Sequence, residues 1–346
     1  MKIVIDEKIP YLRDALLAMG HNVLALPGVA ISQADVKDAE ALFVRTRTFC
    51  NEQLLAGSAV RFIGTATIGY DHIDAAYCAA NGVEWASAAG CNAGAVLQYV
   101  QAVVYSWAKE RSLSLDGLVM GVVGVGEIGS RIAAWAAGEG IRLLLNDPPR
   151  EAAGEKGFVS LEQIAAECDI ITFHPTLNLA GDYPSYHLAD AAFFSSMKRC
   201  RLFINASRGP VVDNAALLGT LEKNGELDAV LDVWEGEPEI SLPLLNKVYI
   251  ATPHIAGYSA EGKINATRMV LDAFCNFFGC AAQPVLSLPL PSEPCLCAPS
   301  FGDAVLKIYD PHSDSSVLKK EPLRFEDLRN NYNLRREMSA FDVKIG

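Results

Sequence analysis

The sequence predicts an α/β chain: two doubly wound parallel-sheet units followed by a short C-terminal segment. Three observations predict it. Apolar runs of strand length alternate with helical patterns from residue 2 to residue 251. A glycine-rich turn stands between a strand and a helix at Gly124–Gly129. The 346 residues, 51% hydrophobic and 20% charged, supply enough apolar mass for two or three domains at roughly 100–200 residues each.

In chain order, Lys2–Asp6 reads as a strand, and Tyr11–Ala18 has helical spacing with Leu12, Ala15 and Leu16 on one face. Strands follow at His21–Leu26, Ala41–Val44 and Arg61–Thr65, with a short helix Asn51–Leu55 that Asn51 can cap. Ala93–Arg111 lacks proline and places Val96, Val100, Val103, Val104 and Trp107 on one buried helix face. The second unit then predicts six strands, Leu118–Val123, Ile141–Leu145, Ile170–Phe173, Leu202–Asn205, Ala229–Asp232 and Val248–Ala251. Helices Ser130–Ala137, Leu161–Ala166, Leu188–Ser195 and Asn214–Lys223 alternate with them, and Glu261–Phe278 is a long amphipathic helix. Five prolines, Pro284, Pro289, Pro291, Pro294 and Pro299, then mark a linker. The charged segment Phe301–Gly346 that follows is too small for a core of its own and must dock on something.

Composition bounds the function. With 29 Lys+Arg against 41 Asp+Glu the net charge is −12, which argues against a duplex nucleic-acid partner. No uncharged apolar run reaches the ~20 residues of a bilayer span. The opening Met-Lys-Ile-Val-Ile-Asp reads as a first strand and not as a secretory leader. Nine cysteines without a CxxC pair or a neighbouring His/Cys cluster predict reduced, mostly buried thiols, a cytoplasmic protein and no metal site.

The sharpest motif is Gly124-Val-Gly126-Glu127-Ile128-Gly129, between a strand and a helix. Gly124 permits the tight turn, Gly126 lets the backbone approach a pyrophosphate, and Gly129 lets helix and strand pack closely. Asp147 ends the next strand, eighteen residues after Gly129, where its carboxylate can accept from ribose hydroxyls and repel a 2′-phosphate. This predicts NAD and a Rossmann-like unit, with Arg150 as the residue that could instead serve NADP.

Three polar segments follow buried strands: Asn205–Asp213 with Arg208, Leu231–Pro238 with Asp232 and Glu237, and Thr252–Tyr258 with His254. Together they suit oxidation of an alcohol next to a carboxylate. His254 is the candidate base. Glu237 can fix its tautomer and stabilise the imidazolium, and Arg208 can fork onto a carboxylate. The same residues admit a bland reading, in which His254 is structural and Arg208 pairs with Asp213.

With these residues in hand, the chain resembles the D-isomer-specific 2-hydroxyacid dehydrogenases over essentially its whole length. The carrying motifs are Gly124–Gly129, the Arg208 segment, Glu237 and Pro253-His254. More specific are Gly64–Asp74, Gly90-Cys-Asn92, Asp147-Pro-Pro-Arg150, His254–Tyr258 with Glu261-Gly-Lys263, and Tyr332-Asn-Leu-Arg335-Arg336. These resemble a branch that acts on a phosphorylated 2-hydroxy acid and pairs its subunits through a small C-terminal α+β dimerisation domain. The resemblance implies a substrate domain from 1–92 and 257–283, an NAD-binding domain from 93–256, and a linker with dimerisation domain from 284–346. It implies catalytic roles for Arg208, Glu237 and His254. It also implies NAD contacts at Gly124, Gly126, Glu127, Ile128, Gly129, Asp147, Pro175, Ala206, Ser207, Arg208, Asp232 and Gly257, and substrate contacts at Thr46, Thr67 and Tyr258. Arg45 or Arg47 could approach a substrate phosphate, or make surface salt bridges. Cys91–Gly94 and Ala256–Tyr258 are expected as hinges. His174-Pro175-Thr176, where the family has His-Thr-Pro, and Glu127 beside the pyrophosphate turn depart from the pattern. Two rivals remain: an enzyme of this fold for glycerate, lactate or phosphoglycerate, and a non-catalytic NAD-sensing regulator.

Overall fold

The computed structural model describes residues 1–280 and 284–346. The expected boundary at 283 lies outside the described residues. The chain divides into two compact units, Met1–Asn92 with Ser259–Leu290, and Ala93–Tyr258 with Pro291–Gly346.

The first unit is a five-stranded parallel sheet of β1 (Lys2–Asp6), β2 (Asn22–Leu26), β3 (Ala41–Val44), β4 (Phe62–Thr65) and β5 (Glu84–Ser87), in the order β2-β1-β3-β4-β5. Ile3, Ile5, Phe43 and Phe62 pack against Val270, Leu271 and Phe274 of the helix Ala260–Phe278. Gly64 makes that approach possible: a Cβ there would lie 2.7 Å from the Phe43 ring and 3.2 Å from Val270. The edge strand β5 and the helix Ala75–Ala80 have no counterpart in the sequence reading. Half-buried Glu-Trp-Ala-Ser lacks the apolar run that marks the central strands.

The second unit holds the six-stranded parallel sheet: β6 (Val119–Val123), β7 (Arg142–Asn146), β8 (Ile170–Phe173), β9 (Leu202–Asn205), β10 (Asp228–Leu231) and β11 (Ile250–Ala251). The order is β11-β10-β9-β8-β6-β7, so the connections reverse between β6 and β8. Alternating side chains feed two cores: Ile171, Phe173, Phe203 and Leu231 on one face, Ile170, Leu202, Ile204 and Val230 on the other. The short helices Pro148–Ala152 and Leu242–Lys247 have no counterpart in the sequence reading, and two of the expected helices start elsewhere. The helix after β6 runs Glu127–Gly138, three residues earlier than Ser130, with Gly126 at its cap position. The one expected from Leu188 is Ala191–Ser196, because the Asp190 side chain accepts from Phe193 N at 2.8 Å and caps it there.

The C-terminal segment joins β12 (Cys295–Ala298) and β13 (Asp342–Ile345) in parallel around the helices Phe301–Ile308, Pro311–Lys320 and Phe325–Asn330. Its side chains complete both cores of the second unit, Val305 and Tyr309 in one and Leu318 and Phe325 in the other. This supplies the buried surface that so short a segment cannot make alone. All nine cysteines are free thiols. Among the described residues no helix is long and apolar enough to cross a membrane.

Candidate active site

In an open parallel sheet, ligands bind beyond the carboxyl ends of strands where connections reverse. At β6 and β8 the structure brings two expected cofactor residues together. Gly124, at φ +82°, lies so close to the Pro175 backbone that any Cβ would collide with Pro175 N. Gly129, inside the helix, is equally tight against Gly124 O. Gly126 is the opposite case: a Cβ there would meet nothing within 4 Å. Packing explains the first and third glycines; the exposed second leaves room beside a twelve-residue helix whose first N–H groups are free for an anion. Glu127 occupies the first turn of that helix, exposed, and Ile128 is half-buried against the core.

Asp147 sits beside this turn. Its Oδ2 accepts from Val125 N at 2.7 Å and its Oδ1 from Arg150 N at 3.1 Å, so the carboxylate is rigidly aimed and retains accepting capacity for hydroxyls. Arg150 donates to Val125 O and, at 2.9 Å, to Glu155 Oε1. Its charge is already paired, which disfavours a 2′-phosphate. The residues present therefore fit NAD.

The three polar segments meet at the ends of β9, β10 and β11. Gly209, next to Arg208, has no room for a side chain against Trp234 O, which draws the loop after β9 onto the loop after β10. Asn205 shapes the first loop, its Oδ1 accepting from Ser207 N and Oγ and its Nδ2 donating to Arg208 O. Ala206 and Ser207 are buried, whereas the Arg208 side chain is exposed. Arg208 makes no ion pair among the described residues, and its Nη1 donates only to Ser207 O at 2.8 Å. Asp213 does not pair with it. That carboxylate accepts from Ala216 N, and with Glu235 it flanks His187. The His187–Asp213–Glu235 cluster is satisfied internally, since Glu235 bonds His187 Nε2 at 2.6 Å and Asn214 N at 2.8 Å.

His254 Nδ1 lies 2.8 Å from Glu237 Oε2, and Glu237 Oε1 accepts from Trp234 N at 2.9 Å. An ionised Glu237 makes Nδ1 the protonated nitrogen and leaves Nε2, which has no partner among the described residues, as the proton acceptor. Burial alone would push the Glu237 carboxyl up. The His254 ring, the Trp234 amide and the Arg329 guanidinium outweigh it and hold the group below the ordinary carboxylate range.

Asp232 was expected at the cofactor, yet only 1% of it is exposed. Its Oδ1 accepts from Thr252 Oγ1 and Ile255 N, both at 2.7 Å, and its Oδ2 from Ala256 N at 2.9 Å. The carboxylate is thus engaged in shaping the His254 loop. Tyr258 packs edge-on to Tyr332, and Gly257 is half-buried.

In the first unit, Thr46 is exposed in the turn after β3 and Arg45 is half-buried there. Thr67 ends a directional chain: its hydroxyl donates to Gly69 O at 2.8 Å and therefore accepts from Thr65 Oγ1, at 2.7 Å, which accepts in turn from His72 Nε2 at 2.8 Å. The Thr67 hydroxyl can only accept from a further ligand. Burial lowers the His72 pKa, consistent with a neutral ring donating from Nε2. Sequence reasoning placed Thr67, His72 and Arg335 within motifs but found neither this hydrogen-bonded chain nor the contacts of Arg329 and Arg335, because nothing in local spacing signals contacts formed only in three dimensions.

A family model for the D-isomer specific 2-hydroxyacid dehydrogenase NAD binding domain matches residues 92–256. The chain belongs to the D-isomer-specific 2-hydroxyacid dehydrogenase family and is an NAD-dependent oxidoreductase. Within it, the chain is 50% identical over 344 residues to the erythronate-4-phosphate dehydrogenase of Bacteroides thetaiotaomicron, covering 99% of both chains. It is 48% identical over 346 residues to that of Bacteroides fragilis, covering 100% of this chain and 99% of the relative. The fold is shared with a 3-phosphoglycerate dehydrogenase from Entamoeba histolytica, at a TM-score of 0.62 and 22% identity over 83% of this chain and 99% of that one.

Proposed function

We propose that the protein oxidises the 2-hydroxyl of 4-phospho-D-erythronate to give (R)-3-hydroxy-2-oxo-4-phosphooxybutanoate. This is a step of pyridoxal 5′-phosphate (vitamin B6) biosynthesis, carried out in the cytoplasm by a homodimer. The observation that carries this reading is the His254 ring, held at Nδ1 by Glu237 at 2.8 Å with Nε2 left open. The name borne by relatives that match from end to end supports the choice of substrate.

When bound at the glycine turn, NAD supplies the acceptor for the hydride leaving C2. His254 Nε2 takes the hydroxyl proton as that C–H bond breaks, and Glu237 stabilises the imidazolium that results. Arg208, which makes no ion pair among the described residues, offers its guanidinium to the substrate carboxylate and polarises the developing carbonyl. Thr67 accepts from a substrate hydroxyl, Thr46 and Tyr258 line the substrate, and Arg45 or Arg47 meets the phosphate. Gly124, Gly126, Glu127, Ile128, Gly129, Asp147, Pro175, Ala206, Ser207 and Gly257 form the NAD site, with Asp232 acting through the loop it holds.

The test is NADH appearance at 340 nm with a panel of 2-hydroxy acids. One charge-assisted hydrogen bond contributes about 1.5–3 kcal/mol, so D-erythronate should fall about 10–100-fold below its 4-phosphate in kcat/KM. Comparable values would favour a general hydroxyacid dehydrogenase, and no turnover of any acid would favour an NAD-sensing regulator. Light scattering on the full chain tests the homodimer, which a monomer at micromolar concentration refutes.

A further inference from the structure

His254 has a left-handed backbone, φ 59°, a conformation that is costly for a residue with a side chain and persists only when its surroundings over-determine it. The structure shows what determines it. His254 N donates to Asp232 O at 2.7 Å, and the next two amides, Ile255 N and Ala256 N, donate to the Asp232 carboxylate. The carbonyls of those same two residues point the other way, into the guanidinium of Arg335: Nη1 donates to Ile255 O at 3.0 Å and Nη2 to Ala256 O. Nη2 also donates to Ala95 O at 3.0 Å. The loop is gripped on its amide side by an acid and on its carbonyl side by a base.

Arg335 lies eighty residues further along the chain, in the C-terminal segment. It is 8% exposed, with its guanidinium 4.4 Å from the centre of the Tyr309 ring. Tyr309 and Tyr332 both donate to Asp314, which fixes the wall around it. A guanidinium is suited to this place, since its planar fork serves several carbonyls from one fixed position. A second arginine of the same segment, Arg329, reaches the other half of the pair. Its Nη1 is 3.7 Å from Glu237 Oε2, the oxygen that holds His254 Nδ1.

We propose that Arg335 and Arg329 are positioning residues of the reaction centre, so that the C-terminal segment completes the active site of its own subunit in addition to any part in pairing subunits. Arg335 sets where the His254 ring stands, and Arg329 sets how strongly Glu237 acts on it. The proposal rests on His254 and Glu237 being the acid/base pair. The charged groups facing that pair are Asp232 on the loop after β10 and Arg329 on the helix Phe325–Asn330. Arg329 opposes the pull of Glu237 on the imidazolium, so its removal favours the protonated ring.

The experiment uses the full chain with Arg335→Lys, Arg329→Gln, Glu237→Gln and the double variant Glu237→Gln/Arg329→Gln. It measures NADH binding by fluorescence, kcat and KM with 4-phospho-D-erythronate, and the pH profile of kcat/KM. A lysine keeps the charge but not the fork. Arg335→Lys should lower kcat about 10–100-fold, the scale of a misplacement near 1 Å. Its KM and NADH affinity should stay within about threefold with NADH bound at full stoichiometry, whereas a partly unfolded preparation would bind NADH at reduced stoichiometry. Arg329→Gln should move the acid limb of the profile to higher pH, and that shift should shrink in the Glu237→Gln background, which no longer holds the guanidinium beside the pair. Should Arg335→Lys fail to fold, Arg329→Gln decides alone, since its side chain is 29% exposed. An active wild type whose variants keep its kcat and its acid limb overturns this proposal and leaves the proposed function standing. A wild type that turns over no 2-hydroxy acid overturns both.

Discussion

Replacing Glu237 by glutamine removes one charge and keeps an acceptor for His254 Nδ1. The carboxylate oxygen lies 2.8 Å from that nitrogen. With the charge centres about 4 Å apart, an effective dielectric near 20 gives an attraction of about 4 kcal/mol between the carboxylate and the imidazolium formed in the reaction. Two features reduce it. Arg329 stands 3.7 Å from the same oxygen with the opposite effect, and the side chains of His254 and Glu237 remain 25% and 17% exposed, so water screens them. An attraction of about 1.5–3 kcal/mol remains, the range of a hydrogen bond to a charged group. For oxidation the ring must begin neutral, and loss of the anion disfavours its protonated form. The acid limb of the kcat/KM profile should therefore move to lower pH, while the plateau falls about 10–100-fold because the imidazolium formed in the reaction is less stabilised. Initial rates of NADH formation between about pH 5 and 9 measure both. An acid limb that stays in place or moves to higher pH would show that Glu237 does not act on the proton-accepting group.

Gly126→Ala should leave thermal stability unchanged and weaken NADH binding about tenfold or more, because its Cβ enters space that only a ligand fills; Gly129→Ala should lower the Tm, because its Cβ collides with Gly124 O. Asp147→Ala should narrow a strong wild-type preference for NAD over NADP in kcat/KM, and equal values in the wild type would refute the role of Asp147. Burial pushes the His174 ring down to about 3 from its ordinary 6.5, so below 6.5 the unfolded chain takes a proton that the folded one refuses. Stability is lost as pH falls through that window, by about 2 kcal/mol at pH 5. Urea unfolding at pH 8 and pH 5 should show a smaller loss in His174→Gln, and equal losses would place the acid sensitivity elsewhere.

What could be read ahead of the structure follows from where information resides in the chain. The central strands β1, β3, β6, β8 and β9 are apolar on both faces and bounded by turn residues, so composition alone marks them. The edge strand β5 is half-exposed and carries no such run. The helix Ala191–Ser196 begins later than its apolar pattern because a cap at Asp190 outweighs the hydrophobicity of Leu188. The site was legible to the same degree. Gly124, Asp147, Arg208 and His254 each stand at or just beyond the end of a strand, and a parallel sheet gathers strand ends onto one edge.

Strand position does not reveal which way a carboxylate faces, and the division of labour between Asp232 and Glu237 depends on that. Both follow β10, and both are acids near His254. Asp232 comes directly after the strand, is 1% exposed and is enclosed by donors from Thr252, Ile255 and Ala256. Glu237 lies beyond a turn, accepts from one amide and keeps its other oxygen for the histidine ring. A buried anion surrounded by backbone N–H groups fixes a loop, whereas one with a single amide and a titratable neighbour can tune a proton. The positively charged counterpart of Asp232 is Arg335, whose contacts close across seventy-nine and eighty residues. Neither helical nor strand periodicity encodes a pairing of that separation, so a fork of N–H groups onto two consecutive carbonyls emerges only once the C-terminal segment has docked.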